Sequence, residues 1–215
     1  TLPLVYIDDV VACILEAMNE PSKIMMDKSM HPICRIHPVH VTSLGELAEM
    51  ITGFAEARKT LAVPYLAEYS LEKKLYSTYL SYLPEDNFSY PLTMHCDNRG
   101  SFTEILRSPE RGQCSVNTIH PGITKGNHWH NSKNEKYLVV AGQCTTRLRK
   151  VGTDKVIEYV TDSTKLEVID IPTGYTHSIQ NTGETDAVVF MWVNEPFDPE
   201  HPDTIFLEVI SKSET

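Results

Sequence analysis

The sequence lacks three features that would have assigned it to a common class. It contains no G-x-G-x-x-G, so a dinucleotide-binding fold has no glycine-rich fingerprint here. It has no C-x-x-C pair, and its five cysteines are scattered and odd in number, which favours a reducing, cytosolic location. It shows no signal peptide and no apolar run of roughly 18 residues, so we predict a cytoplasmic protein that does not insert into a membrane.

Positive charge is also scarce. The chain has 19 Lys and Arg against 29 Asp and Glu, a formal net charge of −10 at pH 7. Nucleic acids and anionic membranes are bound by basic surfaces, so we expect neither as a partner. An anionic small molecule would need local Arg or Lys side chains to receive it.

The pattern of hydrophobic residues in the 215-residue sequence changes near position 84. Before it, we expect a helix that reaches Met18 and is capped by Asp8 or Asp9, and a second helix that opens with a Ser43/Glu46 capping box. After it, short strand-like runs are broken by Gly, Asn and Pro, which is typical of a closed barrel or sandwich. The predicted strands are Gly100–Leu106, Cys114–His120, Glu135–Val140, Cys144–Arg149, Val156–Val160, Leu166–Ile171, His177–Asn181, Ala187–Asn194 and Ile205–Ile210.

Three histidines and a glutamate are spaced as metal ligands. On a strand, His128 and His130 would point to the same face, because residues two apart share a side. The four polar residues that follow predict a turn, which would bring Glu135 back towards them. A later segment supplies His177. Three imidazoles and a carboxylate suit Zn, Fe, Mn, Ni or Cu.

These segments resemble the two motifs of the cupin family. The first follows G-x5-H-x-H-x4-E-x6-G from Gly122 to Gly142 at every fixed position. The second follows P-x-G-x2-H-x3-N from Pro172 to Asn181, and departs from the family only at a leading glycine, which is Leu166 here. The resemblance implies a mainly β double-stranded β-helix barrel around a divalent metal, with Zn as our first expectation. The implied ligands are His128, His130, Glu135 and His177.

The stretch before the metal motif resembles the nucleotide-sugar 3,5-epimerases of the dTDP-4-keto-6-deoxyglucose type, which are also cupins. D-N-R-G-S-F-T-E, from Asp97 to Glu104, matches their D-x-R-G-x-F-x-E. The resemblance implies that Arg99 contacts a diphosphate, which suits a bidentate guanidinium. It also implies that His128 is the base. That role conflicts with metal binding, because a ligating imidazole has committed its lone pair.

The polar residues Gln113, Ser115 and Asn117 alternate along one predicted strand, so one strand face would line a ligand cavity. Tyr175, in the turn before His177, is a candidate for stacking on a sugar or base. The predicted substrate-binding residues are therefore Arg99, Glu104, Gln113, Asn117 and Tyr175.

Taken whole, the chain resembles the C-terminal part of the bifunctional capsule and O-antigen enzymes of the UDP-N-acetyl-L-fucosamine pathway. The diagnostic run is P-G-I-T-K-G-N-H-W-H-N-S-K-N-E-K, from Pro121 to Lys136. Those enzymes join an extended short-chain reductase to a metal cupin. The resemblance implies that 1–83 is the end of a reductase domain plus a helical linker and that 84–215 is the cupin. NADPH would then serve only a longer protein that includes the reductase front.

The implied reaction is epimerisation at C3, or at C3 and C5, of a UDP-4-keto-6-deoxy-N-acetylhexosamine. Proton transfer next to a ketone needs a base and a donor, for which the candidates are Lys125, Tyr137 and His120. The ligand set alone also permits an Fe(II)-dependent cupin oxidoreductase, although such an enzyme has no need for a diphosphate site. A third hypothesis is a non-catalytic, metal-stabilised dimerisation module. We expect a homodimer in which the Tyr- and Leu-rich arm Tyr76–Tyr90 packs on, or exchanges with, the partner subunit.

Overall fold

The computed structural model describes residues 1–21 and 24–210. The chain divides into two compact units, one formed by 1–59 with 64–88 and the other by 60–63 with the chain from residue 89 onward. Among the described residues, no helix is long and apolar enough to cross a membrane.

The first unit holds the predicted helical segment. Two short antiparallel pairs, β1 with β4 and β2 with β3, accompany its helices. In chain order its elements are β1 (Leu2–Leu4), α1 (Ile7–Asn19), β2 (Met25–Met26), β3 (Pro32–Ile33), β4 (His40–Thr42), α2 (Leu44–Thr60) and α3 (Leu71–Ser81).

Local capping chemistry sets where these helices begin. The capping box at α2 is confirmed: the Glu46 carboxylate accepts from the Ser43 N–H at 2.7 Å, and Ser43 Oγ accepts from the Glu46 N–H at 3.2 Å. The expected Asp cap of α1 is wrong. Tyr6 is the N-cap, and the two aspartates lie in the first helical turn, where their charge still complements the helix dipole.

Up to residue 210, the second unit is built from eleven strands in two antiparallel sheets. Sheet order is β11-β10-β13-β8-β15 in one and β12-β9-β14-β7-β6-β5 in the other. The strands are β5 (Met94–Asp97), β6 (Gly100–Ser108), β7 (Gly112–Ile119), β8 (Thr124–Trp129), β9 (Glu135–Ala141), β10 (Gln143–Lys150), β11 (Val156–Asp162), β12 (Val168–Ile171), β13 (Tyr175–Asn181), β14 (Ala187–Val193) and β15 (Ile205–Phe206).

After β7 the chain passes from one sheet to the other at nearly every connection, which is the winding of a double-stranded β-helix. Both sheets contribute to one apolar core: Ile119, Val139 and Val189 come from the six-stranded sheet, and Leu148 and Ile179 from the five-stranded one. The prediction of a mainly β fold of this kind, preceded by a helical segment, is therefore confirmed.

A β-bulge in β8 decides which of its side chains face the interior. His128 pairs with His177, but Gly126 pairs with the next residue of β13, so Asn127 is an extra residue with φ of 61°. Only glycine fits beside it, because a Cβ on Gly126 would lie 2.7 Å from the His177 carbonyl oxygen. Consequently Lys125, which pairs with the buried Ile179, faces the same side as His128.

Candidate metal centre

The four predicted ligands converge at one point inside the second unit. His128 on β8 lies opposite His177 on β13, while His130 follows β8 directly and Glu135 opens β9. One potential ligand atom from each residue lies within 4.8 Å of the other three. The His128 ring centroid is 4.6 Å from that of His177 and 4.9 Å from that of His130. Residues that lie up to 49 positions apart in the chain therefore form a single cluster.

The histidine tautomers present lone pairs to the centre of this cluster. The His130 Nδ1 contacts the Asp203 carbonyl oxygen, and the His177 Nδ1 lies 3.3 Å from the Tyr175 carbonyl oxygen. A carbonyl oxygen only accepts, so each Nδ1 carries the hydrogen and each Nε2 carries a lone pair. Both Nε2 atoms are buried, and neither has a hydrogen-bond partner among the described residues.

The glutamate completes an arrangement of acceptors that fits a cation. Glu135 Oε2 lies 2.9 Å from His177 Nε2, and Oε1 lies 3.6 Å from His130 Nε2. In these tautomers the atoms on both sides are acceptors, so the contacts are not hydrogen bonds and would be repulsive with nothing between them. A divalent cation satisfies all of these atoms together, so the residues present fit a metal.

The charge states are also those that bind metal. Burial lowers the pKa of His128 to about 4, so this imidazole is neutral at pH 7. Burial by itself raises the pKa of Glu135, but donation and positive charge from His130 and His177 in their protonated forms lower it by more, so its pKa lies well below the usual range. Glu135 is therefore a carboxylate in the metal-free site, and a bound cation would replace the protons that those imidazoles carry there.

Asp203 holds the turn that joins two of the ligands. Its carboxylate accepts from the backbone N–H of Asn131 at 2.9 Å, of Ser132 at 2.7 Å and of Lys133 at 3.3 Å. Burial raises the pKa of Asp203, but these N–H donors lower it by more and hold it well below its usual range. Since its own carbonyl oxygen orients His130, Asp203 fixes the turn and the ligand ring together.

A cavity of about 510 Å³ opens onto this cluster, a size typical of small-molecule sites. Its walls combine three ligands, polar side chains of β6 and β7, aromatic rings, and the segment that follows β14. The lining residues include His128, His130, Glu135, Glu104, Arg107, Gln113, Ser115, Lys133, Glu195, Phe102, Trp192 and Phe197.

The structure brings two of the five predicted substrate-binding residues to this cavity. Glu104 lines it and forms a two-pronged ion pair with Arg107. Gln113 lines it and accepts from the Phe197 N–H at 2.9 Å. The remaining three lie outside the lining and stay predictions. Arg99 is exposed and bonded to Asp97, Asn117 donates to the Met191 sulfur, and Tyr175 packs against the barrel core.

The three candidates for proton transfer lie in different places. The Tyr137 hydroxyl, which is buried, donates to Glu135 Oε2 at 2.9 Å and so contacts the ligand cluster. Lys125 Nζ donates to two carbonyl oxygens of the six-stranded sheet, those of Ser101 at 3.0 Å and Thr118 at 3.1 Å. His120 is half-exposed, with its Nδ1 2.8 Å from Asp186.

Sequence reasoning missed Asp203, Lys133 and Arg107. Asp203 lies 73 residues from His130 in a loop segment, so no spacing pattern points to it. Lys133 is one residue of a polar run that reads as an ordinary turn. Arg107 could have been found, since it lies three residues after Glu104 in the stretch that resembles the epimerases.

The fold and the ligand cluster define a cupin-like protein with a candidate metal centre. Residues 95–205 match the family described as the polysaccharide biosynthesis C-terminal domain, and this chain belongs to that family.

Two longer proteins are similar to almost the whole chain. The UDP-2-acetamido-2,6-beta-L-arabino-hexul-4-ose reductase of Pseudomonas aeruginosa is 43% identical over 203 residues, which are 94% of this chain and 53% of that protein. The crystal structure of the capsular polysaccharide assembling protein CapF from Staphylococcus aureus is 51% identical, with a TM-score of 0.87 over 96% of this chain and 55% of that one. This chain therefore spans about half the length of each.

Two further comparisons differ in how much of the chain they cover. CapF has also been solved with the inhibitor 3-isopropenyl-tropolone, and that structure gives a TM-score of 0.88 at 51% identity, covering 96% of this chain and 59% of that one. The spore coat polysaccharide biosynthesis protein SpsL of Bacillus subtilis is 26% identical over 122 residues, 52% of this chain and 81% of that protein.

Proposed function

We propose that this chain epimerises a UDP-linked 4-keto-6-deoxy-N-acetylhexosamine at C3, or at C3 and C5, in a metal-dependent reaction of polysaccharide biosynthesis. The observation that carries the proposal is the ligand cluster in the wall of a cavity lined by polar side chains. The name of the Pseudomonas relative, which is 43% identical, describes a UDP-linked 2-acetamido sugar with a ketone at C4. A proton on a carbon next to such a ketone is acidic enough to be exchanged by an enzyme.

Different side chains would bind the metal ion and transfer the proton in this reaction. His128, His130, Glu135 and His177 would hold the ion, which we propose is Zn. A divalent metal supplies positive charge that stabilises an enolate oxygen. Asp203 keeps His130 and its turn in place, so the ligands are arranged before the ion arrives.

The other cavity residues would bind and orient the sugar. Gln113 and Ser115, from one face of β7, offer an amide and a hydroxyl for hydroxyl and acetamido groups. The aromatic rings of Phe102 and Trp192 supply apolar wall. Closing such a cavity around a sugar removes water, which strengthens each polar contact inside it.

We propose Tyr137, Lys125 and His120 as the candidates for proton transfer at C3, each to be tested by its own substitution. Tyr137 has the strongest support from its surroundings. Its hydroxyl contacts Glu135, and burial followed by the negative charge of Glu135 raises its pKa well above the usual value, so it is a protonated donor. Reduction with NADPH is proposed for the part of the Pseudomonas relative that this chain does not match.

The test is solvent deuterium exchange with a metal-loaded protein. Metal content is measured first by mass spectrometry of the dialysed protein, and the UDP-4-keto-6-deoxy-HexNAc is then incubated with it in D2O. We expect deuterium at C3 with the loaded protein, none after chelation, and recovery when Zn is returned. Full loading without deuterium incorporation contradicts the proposal. Oxygen consumption would instead support an Fe(II) oxidoreductase. If neither deuterium incorporation nor oxygen consumption is observed, the remaining hypothesis is a metal-stabilised dimerisation module.

A chelating probe offers an independent check. A tropolone carries adjacent oxygen atoms that bind divalent metals by their own chemistry, and CapF has been solved with an inhibitor of this class. We expect 3-isopropenyl-tropolone to bind the Zn-loaded chain and not the metal-free chain. Equal binding to both would place the inhibitor away from the metal centre.

A further inference from the structure

Lys133 is a largely buried residue whose side chain lines a cavity. The residue lies in the turn between two metal ligands, is 6% exposed, and lines the same cavity as three of the four ligands. Its Nζ lies 5.4 Å from the centroid of the Phe197 ring. No carboxylate of residues 1–21 or 24–210 forms an ion pair with this ammonium.

The nearby negative charges are all engaged with other groups. Glu104 is paired with Arg107, Glu195 accepts from the Ser132 hydroxyl at 2.6 Å, and Glu135 belongs to the metal cluster. The Asp203 carboxylate accepts from the Lys133 backbone N–H, so it fixes the chain at this residue without neutralising the side chain. The Lys133 ammonium is therefore left facing the cavity, where an anionic ligand could pair with it.

We propose that the Lys133 ammonium binds a phosphoryl oxygen of the substrate's diphosphate, which makes Lys133 a determinant of specificity for nucleotide sugars. This inference rests on the proposed function. The diphosphate carries the fixed negative charge of such a substrate, and a protein of net charge −10 must supply a local cation to receive it. Arg107, the other basic side chain of this lining, is already neutralised by Glu104, and Arg99 lies outside it.

The stability of the protein distinguishes this role from a structural one. A lysine that holds the fold together lowers the unfolding temperature when it is replaced. An ammonium that faces a cavity without an ion-pair partner contributes little to the fold, so its removal should not lower the unfolding temperature. We therefore expect Lys133→Met, which keeps the aliphatic length, to unfold in the absence of ligand at the same temperature as the parent protein or higher.

The experiment measures binding of UDP and of uridine to the Zn-loaded protein by titration calorimetry. Lys133→Met should weaken UDP binding by about 10- to 100-fold, the loss expected for a charged hydrogen bond, and leave uridine binding unchanged. Lys133→Arg, which keeps the charge, should retain most of the UDP affinity. Lys136→Met is the matched control, because Lys136 pairs with Asp170 outside this cavity, and it should bind UDP like the parent.

Four results would overturn the inference. They are a parent protein that does not bind UDP, a Lys133→Met protein with the parent's UDP affinity and the parent's C3 exchange, a Lys133→Met protein that loses its metal and unfolds earlier, and one that keeps UDP affinity but loses C3 exchange. The last result would place the ammonium at the sugar. Deuterium exchange by the parent protein decides the proposed function separately, so the two ideas can fail independently.

Discussion

Replacing Asp203 with alanine tests whether the metal centre depends on a residue that is not a ligand. The change removes the carboxylate that accepts from three successive backbone N–H groups, but it leaves the carbonyl oxygen that His130 contacts. Any loss of metal affinity then comes from the turn, not from a missing ligand.

The size of the effect follows from the contacts. Asp203 is partly exposed, so we take ~1 kcal/mol for each backbone hydrogen bond, below the usual range for charged acceptors, which makes about 3 kcal/mol for the turn. If metal binding must restore this order, the affinity falls by up to ~150-fold. Residues that support metal ligands elsewhere typically contribute about 10- to 100-fold, which agrees.

The assay is competition for Zn with a chromophoric chelator of known affinity, together with calorimetric unfolding of the metal-free and loaded proteins. Asp198→Ala is the matched control, since Asp198 is an acidic residue of the same segment whose carboxylate bonds locally to Glu200 and His201. We expect a selective loss of Zn affinity in Asp203→Ala only. Parent-like affinity in Asp203→Ala would refute the reasoning, and an equal loss in both variants would show that the effect is not specific to this turn.

Four further predictions concern the same unit and its assembly. His177→Ala should lose Zn and C3 exchange, because it removes a ligand and leaves polar groups unpaired, whereas His201→Ala on the surface should keep both. In an experimental structure of the Zn form, all four ligand atoms should lie ~2.0–2.2 Å from the ion, and divergent side chains would contradict the site. Lys125→Ala should retain Zn but lower the unfolding temperature, since its ammonium bonds two carbonyl oxygens; a loss of exchange by ~10²-fold at full metal content would instead identify Lys125 as the general base. Sedimentation at micromolar concentration should give a homodimer, and deleting the arm Tyr76–Tyr90 should give a monomer; a parent protein that sediments as a monomer would exclude the predicted dimer.

The ligand set was predictable from sequence because its spacing is local. His128 and His130 are separated by one residue on a strand, and strand geometry alone puts them on one side. The turn after them contains only polar residues, so the return of Glu135 also follows from local chemistry. Short alternating runs likewise predicted most strands of the barrel, as well as its mainly β class, because each strand buries one face.

Tertiary structure decided which residues join those ligands. The polar face of β7 is uniform in sequence, yet Gln113 and Ser115 line the cavity, while Asn117, two residues further along, does not line it and donates to the Met191 sulfur. Lys125 lies three positions before His128, which would put them on opposite faces of a regular strand, and only the bulge at Asn127 brings them to the same side.

The roles of Asp203 and Lys133 also could not be predicted from sequence spacing. Their roles depend on contacts with residues far away in the chain, since a carboxylate 70 residues further on holds the Lys133 N–H and no carboxylate pairs with its ammonium within the described chain. Sequence spacing therefore determined the atoms that can hold a metal, because strand and turn geometry are local. The packing of two sheets determined what surrounds them, because burial and charge pairing depend on segments that meet only in the folded barrel.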